Sequence, residues 1–291
     1  MNLKSWPAVA TLVVGLAACA TVSRPDLSGM SFTAEPLPGK VIWNDLITED
    51  IDAARRFYGG LFGWTFEDAT GPGRRGYALA RHGDIYVGGL VPVEARPDGK
   101  RLSRWLPYLS VQDVDTALAG GVANGGTVAV AARNINLGRV AAMVDPEGAV
   151  IGLARSNIGD PDDNTTKAAP GRAVWHELLS NDNAKAAAFY AATVGYEVRD
   201  IERRGGTYSL LGKAGVDRAG ILRNPAEDWD PVWLTYFAVQ DVAAAARMAE
   251  ELGGKVLVPV SPELRNGSMA VVADPSGAIL VLQNMSNWEG A

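Results

Sequence analysis

The chain states nearly the same sequence twice, and that duplication limits its possible folds more than any other feature. The segment Val41-Ile-Trp-Asn-Asp-Leu-Ile-Thr-Glu-Asp-Ile-Asp-Ala-Ala-Arg-Arg-Phe-Tyr58 returns as Val174-Trp-His-Glu-Leu-Leu-Ser-Asn-Asp-Asn-Ala-Lys-Ala-Ala-Ala-Phe-Tyr190. Trp43 and Trp175, Phe57 and Phe189, and Gly63 and Gly195 are each 132 residues apart. Trp105-Leu-Pro-Tyr-Leu-Ser-Val-Gln-Asp-Val114 answers to Trp233-Leu-Thr-Tyr-Phe-Ala-Val-Gln-Asp-Val242, and Asp145-Pro-Glu-Gly148 to Asp274-Pro-Ser-Gly277. Solenoid repeats run about 20 to 50 residues, so this period marks a duplicated domain. A length of 291 residues suits two such units.

Each copy repeats its element order once more. Val41–Thr48 alternates as a strand does, and Ala53, Ala54, Phe57 and Tyr58 form the apolar stripe of a helix over 50–60 that Gly63 closes. Strands are expected near 76–80 and 85–93 and at 108–111, then a helix over 114–124. A hairpin of 139–144 with 150–154 turns on Asp145-Pro-Glu-Gly148. The polar, turn-rich stretch 156–170 reads as a linker.

The opening strand, the Asp-x-x-x-Ala-x-x-Phe-Tyr helix, the Val-Gln-Asp-Val helix start and the Asp-Pro-x-Gly hairpin together resemble the vicinal oxygen chelate superfamily. That superfamily includes glyoxalase I, bleomycin-resistance proteins and extradiol dioxygenases. Trp-x-(Asp/Glu)-Leu in the first strand is most similar to its two-domain glyoxalase-like members. The resemblance implies an α+β fold of two tandem domains, 39–155 and 171–286, each built from two βαβββ modules that form a cupped mixed sheet. Helices are expected outside each cup, and the two copies are expected to have separate cores.

The resemblance also implies a divalent metal held by His, Gln or Glu on the first and fourth strands of each module. Carried over by spacing, those places fall at Trp43, Gly88-Gly89, Leu106 and Gly152, and at Trp175, Ala219-Gly220, Leu234 and Val281. None offers a metal ligand, so the expectation is no metal and no cofactor. Of the two histidines, His82 reads as a loop residue. His176, beside Trp175, points away from the cup by strand alternation.

Alternation directs other side chains into each cup: Trp43, Asp45 and Tyr108 in copy one, and Trp175, Glu177 and Tyr236 in copy two. Rings beside a carboxylate suit a small, partly apolar ligand that carries a donor or positive charge. A buried acid needs a partner, and Arg139 or Arg265 could supply one, in which case the pair is structural. Three functions remain open on these residues: a metal-free small-molecule binder, a lyase or isomerase using Asp45 or Glu177 as base on a carbonyl compound, and an interaction protein with collapsed cups.

The first 19 residues are of another kind. Lys4 precedes an apolar run from Trp6 to Leu16, too short to span a bilayer, which ends in Leu16-Ala-Ala-Cys19. This resembles a bacterial lipoprotein signal. It implies lipidation at Cys19, the single cysteine, with 20–38 as a flexible tether and the protein anchored in the cell envelope, on the periplasmic face of the outer membrane. With one cysteine, no disulfide can form within the chain. A net charge of −6 and scattered arginine pairs disfavour nucleic acid as a partner.

Overall fold

The structure is a computed structural model that describes residues 27, 29–69, 76–163, 169–203, 206–225 and 229–286. Cys19 and the expected signal segment lie outside them. In copy one, β1 (Val41–Thr48), α1 (Ile51–Phe62), β2 (Thr65–Asp68), β3 (Ala78–His82) and β4 (Ile85–Pro92) form one module. The next is β5 (Arg104–Ser110), α2 (Val114–Ala123), β6 (Thr127–Ile135), β7 (Gly138–Val144) and β8 (Val150–Ser156). Copy two repeats this as β9 (Ala173–Ser180), α3 (Asn183–Val194), β10 (Glu197–Arg203), β11 (Gly206–Lys213) and β12 (Val216–Arg223). It closes with β13 (Val232–Val239), α4 (Val242–Glu251), β14 (Lys255–Val258), β15 (Met269–Ala273) and β16 (Ile279–Asn284).

Each copy is one eight-stranded mixed sheet, ordered β2-β3-β4-β1-β5-β8-β7-β6 and β10-β11-β12-β9-β13-β16-β15-β14. The two modules of a sheet join through antiparallel pairs, β1 with β5 and β9 with β13. The expected tandem α+β architecture is therefore present.

All four helices start the same way. Asp50, Asp113, Asp182 and Asp241 accept a hydrogen bond from the backbone N–H three residues on, an N-cap worth about 1 kcal/mol. Gly63 and Gly195 end α1 and α3 in the left-handed region, at φ 70° and 76°, a conformation glycine adopts without steric penalty.

The helices lie outside each cup, on the other face of its sheet, but the cores of the two copies are not separate. The helix-bearing faces of the two sheets are turned toward each other, with α1 packed on α4 and α2 on α3. One core joins Phe57, Tyr58 and Trp105 to Phe237, Val239 and Leu282; a second joins Leu109 and Met143 to Tyr190, Leu211 and Trp233. The physical reason lies in helix size. Two short helices whose buried faces are rich in alanine, such as Ala53, Ala54, Ala186 and Ala187, cannot seal an eight-stranded sheet. The other copy supplies the missing apolar cover.

The repeated motifs build this junction. Trp105 Nε1 donates to the Tyr58 hydroxyl at 3.1 Å, and that hydroxyl donates across the junction to Asp274 at 3.2 Å. The mirror set is Trp233 Nε1 to Tyr190 at 2.8 Å and Tyr190 to Asp145 at 3.0 Å. Each Asp-Pro-x-Gly turn thus holds the Phe-Tyr helix of the opposite copy.

The described part of the expected tether is docked, not free. Phe32 bridges Pro161, and Leu37 N–H donates to the buried Asp160 at 2.6 Å. Lys40 Nζ donates to the Pro161 and Asp162 carbonyls. Among the described residues, no helix is long and apolar enough to cross a membrane.

Candidate functional site

The face of each sheet away from the helices carries the expected candidates. In copy one the register sets Trp43 opposite Tyr108, Asp45 between Leu106 and Gly89, and Tyr108 beside Gly152. In copy two Trp175 faces Tyr236, Glu177 sits between Leu234 and Gly220, and Tyr236 lies beside Val281. The three residues named for each cup therefore come together, around a carboxylate in both cases.

Asp45 is 7% exposed and accepts from Trp43 Nε1 at 2.8 Å and from the Tyr77 hydroxyl at 3.0 Å. Tyr108 bonds to the same carboxylate, and burial raises the pKa of Asp45 despite these donors and the charge of Arg133. Burial, and then the Asp45 charge, pushes the phenols of Tyr77 and Tyr108 well above their ordinary range. All three rings stay neutral donors at physiological pH.

Glu177 is fully buried and more heavily bonded. Tyr208 donates to Oε1 at 2.7 Å, Tyr236 donates to Oε2, and the Arg265 guanidinium pairs with Oε1. Trp175 Nε1 reaches the Tyr208 hydroxyl, at 3.2 Å, instead of the acid. The Arg265 guanidinium also lies 5.3 Å from the centre of the Tyr236 ring, within cation–π reach. Arg265 is thus the partner foreseen for Glu177. Arg139 is not the partner of Asp45: it forms a surface pair with Asp115 at 2.6 Å, because it sits on the helix-bearing side near the start of α2.

Tyr77 and Tyr208 were missed by alternation within the first strands, since they enter from β3 and β11 territory two strands away. The repeat could have found them: Tyr77-Ala-Leu returns as Tyr208-Ser-Leu. They explain why glycine stands at two of the inherited ligand positions. A side chain at Gly89 would run into the Tyr77 hydroxyl and Asp45, and one at Gly220 would run into Tyr208. At Gly152 it would run into the Tyr108 ring. The family's metal therefore does not fit these residues: rings occupy the space that ligand side chains would need, and each cup offers one acid, already accepting from ring donors. Among the described residues no three His, Cys, Asp or Glu cluster closely enough to hold an ion. His176 is buried on the opposite face, with Nε2 2.8 Å from Asn44 Oδ1, and burial lowers its pKa to about 3. His82 ends β3 beside the Gly83-Asp84 turn.

The cups differ in how full they are. In copy two Leu179, Leu234, Tyr236, Met269, Val271 and Val281 form a buried apolar cluster, with Trp175 and Trp229 packed against it. In copy one the paired positions Ala142 and Gly152 replace Val271 and Val281. Tyr77, Leu79 and Tyr108 remain half-buried, whereas their counterparts Tyr208, Leu210 and Tyr236 are buried. Cup two is the more filled by its own side chains, although Trp175 stays half-buried as Trp43 does; cup one leaves Tyr77 and Tyr108 half-buried as well.

The two-copy fold and the paired cups define a class, and comparison with known proteins agrees. The chain belongs to the glyoxalase/bleomycin resistance protein/dioxygenase superfamily, whose family model matches residues 40–153 and 172–282. Among its relatives is CFP32 of Mycobacterium tuberculosis, provisionally named a glyoxylase, 35% identical over 243 residues that cover 81% of this chain and 91% of CFP32. The anthracycline biosynthesis protein DauV of Streptomyces sp. strain C5 is 32% identical over 263 residues, 83% of this chain and 91% of DauV. In fold, the chain is similar to a Mn(II)-bound glyoxalase from Novosphingobium aromaticivorans, with TM-score 0.56 at 16% identity over 85% of this chain and 82% of that one.

Proposed function

We propose that this protein binds a small, partly apolar molecule in the cup of copy one, without a metal, and that copy two is a structural mate whose cup is filled. The observation that carries this reading is the difference between the cups. Glu177 is fully buried, paired with an arginine and roofed by an apolar cluster, while Asp45 accepts from Trp43 and Tyr77, feels the charge of Arg133 and lies among half-buried rings. The rings of Trp43 and Tyr108 supply contact area, and Asp45 fixes orientation. Relatives named for a glyoxylase and for anthracycline biosynthesis are compatible with handling small organic molecules. Titration with candidate ligands should quench Trp fluorescence in the wild type and in Trp175→Ala, but not in Trp43→Ala. Quenching lost in Trp175→Ala alone would move the site to copy two. One tightly bound equivalent of divalent metal in the purified protein would refute the metal-free reading.

A second reading draws on the raised pKa of Asp45, which suits a general base on a carbonyl compound. Turnover abolished by Asp45→Asn with ligand binding retained would establish it. The envelope anchor belongs to the same proposal, on the strength of Leu16-Ala-Ala-Cys19 after a short apolar run. Cys19→Ala should release the protein from the membrane fraction; a variant that still sediments with membranes would refute lipidation.

A further inference from the structure

The two copies hold their opening strands in the same way, except at one place. Pro38-Gly39-Lys40 returns as Pro170-Gly171-Arg172, just ahead of β1 and β9. Gly39 and Gly171 are both left-handed, at φ 85° and 81°. Each opens a bulge. Gly39 N–H donates to the Ser110 carbonyl and Ser110 N–H to that of Lys40; Gly171 N–H donates to Ala238 and Ala238 N–H to Arg172. Across the junction Tyr196 donates to the Gly39 carbonyl, and Trp64 Nε1 to the Gly171 carbonyl at 2.9 Å. Ser110 and Ala238 pair in turn with Ala154 on β8 and Gln283 on β16.

In copy one the chain that leaves β8 comes back over this bulge. Asp160, six residues past Ala154, is buried and accepts from the Leu37 N–H at 2.6 Å and from the Ser110 hydroxyl. Lys40 Nζ donates to the Pro161 and Asp162 carbonyls at 2.6 and 2.7 Å and pairs with Asp163 at 3.0 Å. The linker thus takes up the positive charge at the bulge. In copy two its counterpart, Arg172, makes no side-chain bond among the described residues, and its Nε is buried without an acceptor. Gln283 Oε1, on the strand beside Ala238, is buried without a donor. Orphaned polar atoms of both kinds at one place destabilise the fold unless something polar covers them. Six residues past Gln283, at the place of Asp160, stands Glu289, in the segment Asn287-Trp-Glu-Gly-Ala291 outside the described residues.

We propose that this segment returns over the end of β13 and docks on the second bulge as the linker docks on the first. The Glu289 carboxylate accepts from the Arg172 guanidinium and from the N–H of Ala169, which holds the place of Leu37. The pairing of Asp160 and Lys40 with the same turn is thereby repeated as glutamate and arginine. The extra methylene of glutamate suits a seat where Ala238 replaces the Ser110 hydroxyl and a guanidinium is the donor, a charge-assisted contact. Backbone N–H groups of the returning segment supply the donor that Gln283 Oε1 lacks. Docked so, the end of copy two is tied to the linker between the copies and, through Gly171, to Trp64 of copy one.

The test uses the full chain. Glu289→Gln should lower Tm by about 2–6 °C, the loss of one partly screened charge-assisted bond in a unit of this size, and Arg172→Gln should do the same. Since both break one contact, the double variant should fall no further than the lower single variant. The exchanged pair, Arg172→Glu with Glu289→Arg, should recover part of the loss, and deletion of residues 287–291 should match Glu289→Gln. Hydrogen exchange read by mass spectrometry should be at least about tenfold slower over 285–289 in the wild type than in Glu289→Gln. A Tm unchanged by Glu289→Gln or by the deletion, additive losses, or wild-type exchange of 285–289 at the free-chain rate would each overturn the proposal. Millimolar phosphate, against matched sodium chloride, tests for an outside occupant. A rise in Tm of the deletion variant alone supports a seat emptied by removing the segment. An equal rise in the wild type would show a seat open to free anions and refute the segment as its occupant.

Discussion

The crossed tyrosine bridges that hold the copies together give the most exacting test of the fold. Tyr190→Phe removes one hydroxyl and with it two bonds, the 2.8 Å bond from Trp233 Nε1 and the 3.0 Å bond to Asp145. Trp233 is 1% exposed, so its indole N–H is left buried without an acceptor, which costs about 1–3 kcal/mol. Asp145 keeps backbone bonds from Glu147 and Ala149, both at 2.9 Å, so its loss is nearer the net value of one hydrogen bond, about 1 kcal/mol. The sum is about 3 kcal/mol, or a fall in Tm of roughly 6–12 °C for a cooperative unit of this size. Urea unfolding followed by far-UV circular dichroism and by Trp fluorescence measures it. Because the cores are shared, both probes should report one coincident transition in wild type and variant. Tyr58→Phe, whose bonds are 3.1 and 3.2 Å, should behave alike but lose somewhat less. A loss below about 1 kcal/mol for Tyr190→Phe, or two separate transitions in the wild type, would refute the argument that these residues bind the copies into one unit.

Other consequences follow for the cups and the junction. Gly152→Val places in cup one the side chain that Val281 places in cup two; pressing on Tyr108, it should cost about 1–3 kcal/mol in urea unfolding and reduce Trp43-dependent binding about tenfold or more. Unchanged binding would remove cup one from consideration. His176 has a folded pKa of about 3 against an ordinary 6.5, so the unfolded chain binds its proton first and stability is lost as pH falls below 6.5. Between pH 7 and pH 5 this group should remove roughly 2 kcal/mol. His176→Gln should flatten the stability–pH curve by that amount, and an unaltered curve would mean the imidazole is solvated.

The residues that announced the fold did so for a reason that the linear pattern does not contain. Phe57-Tyr58, Trp105 and Asp274-Pro-Ser-Gly277 were legible as family markers, and strand alternation was enough to group Trp43 with Asp45 and Tyr108. Most first-strand and helix limits followed as well, since β1 and α2 obey local periodicity and Asp caps. The edge strands β2 and β6 left little apolar pattern because most of their residues are exposed. Tyr77 and Tyr208 escaped because their contact with the acids crosses two strands. Arg139 was misassigned because its neighbours in sequence say nothing of α2, whose Asp115 claims it.

The sequence by itself determined that there are two copies, that each is a pair of βαβββ modules, that four named rings meet around two acids, and that the inherited metal positions carry no ligands. Those facts follow from repeats and alternation, which are properties of short stretches of chain. Only the tertiary structure decided that the helix faces meet in two shared cores, that Glu177 takes Arg265 as its partner, and that Asp45 accepts from Trp43 and Tyr77. Those outcomes depend on which surfaces find each other across more than 100 residues of sequence, as Tyr58 finds Asp274 and His176 finds Asn44. They depend also on the loop that carries Arg265 into cup two. Long-range apposition of this kind is settled by packing and desolvation of the whole molecule, which no local pattern encodes.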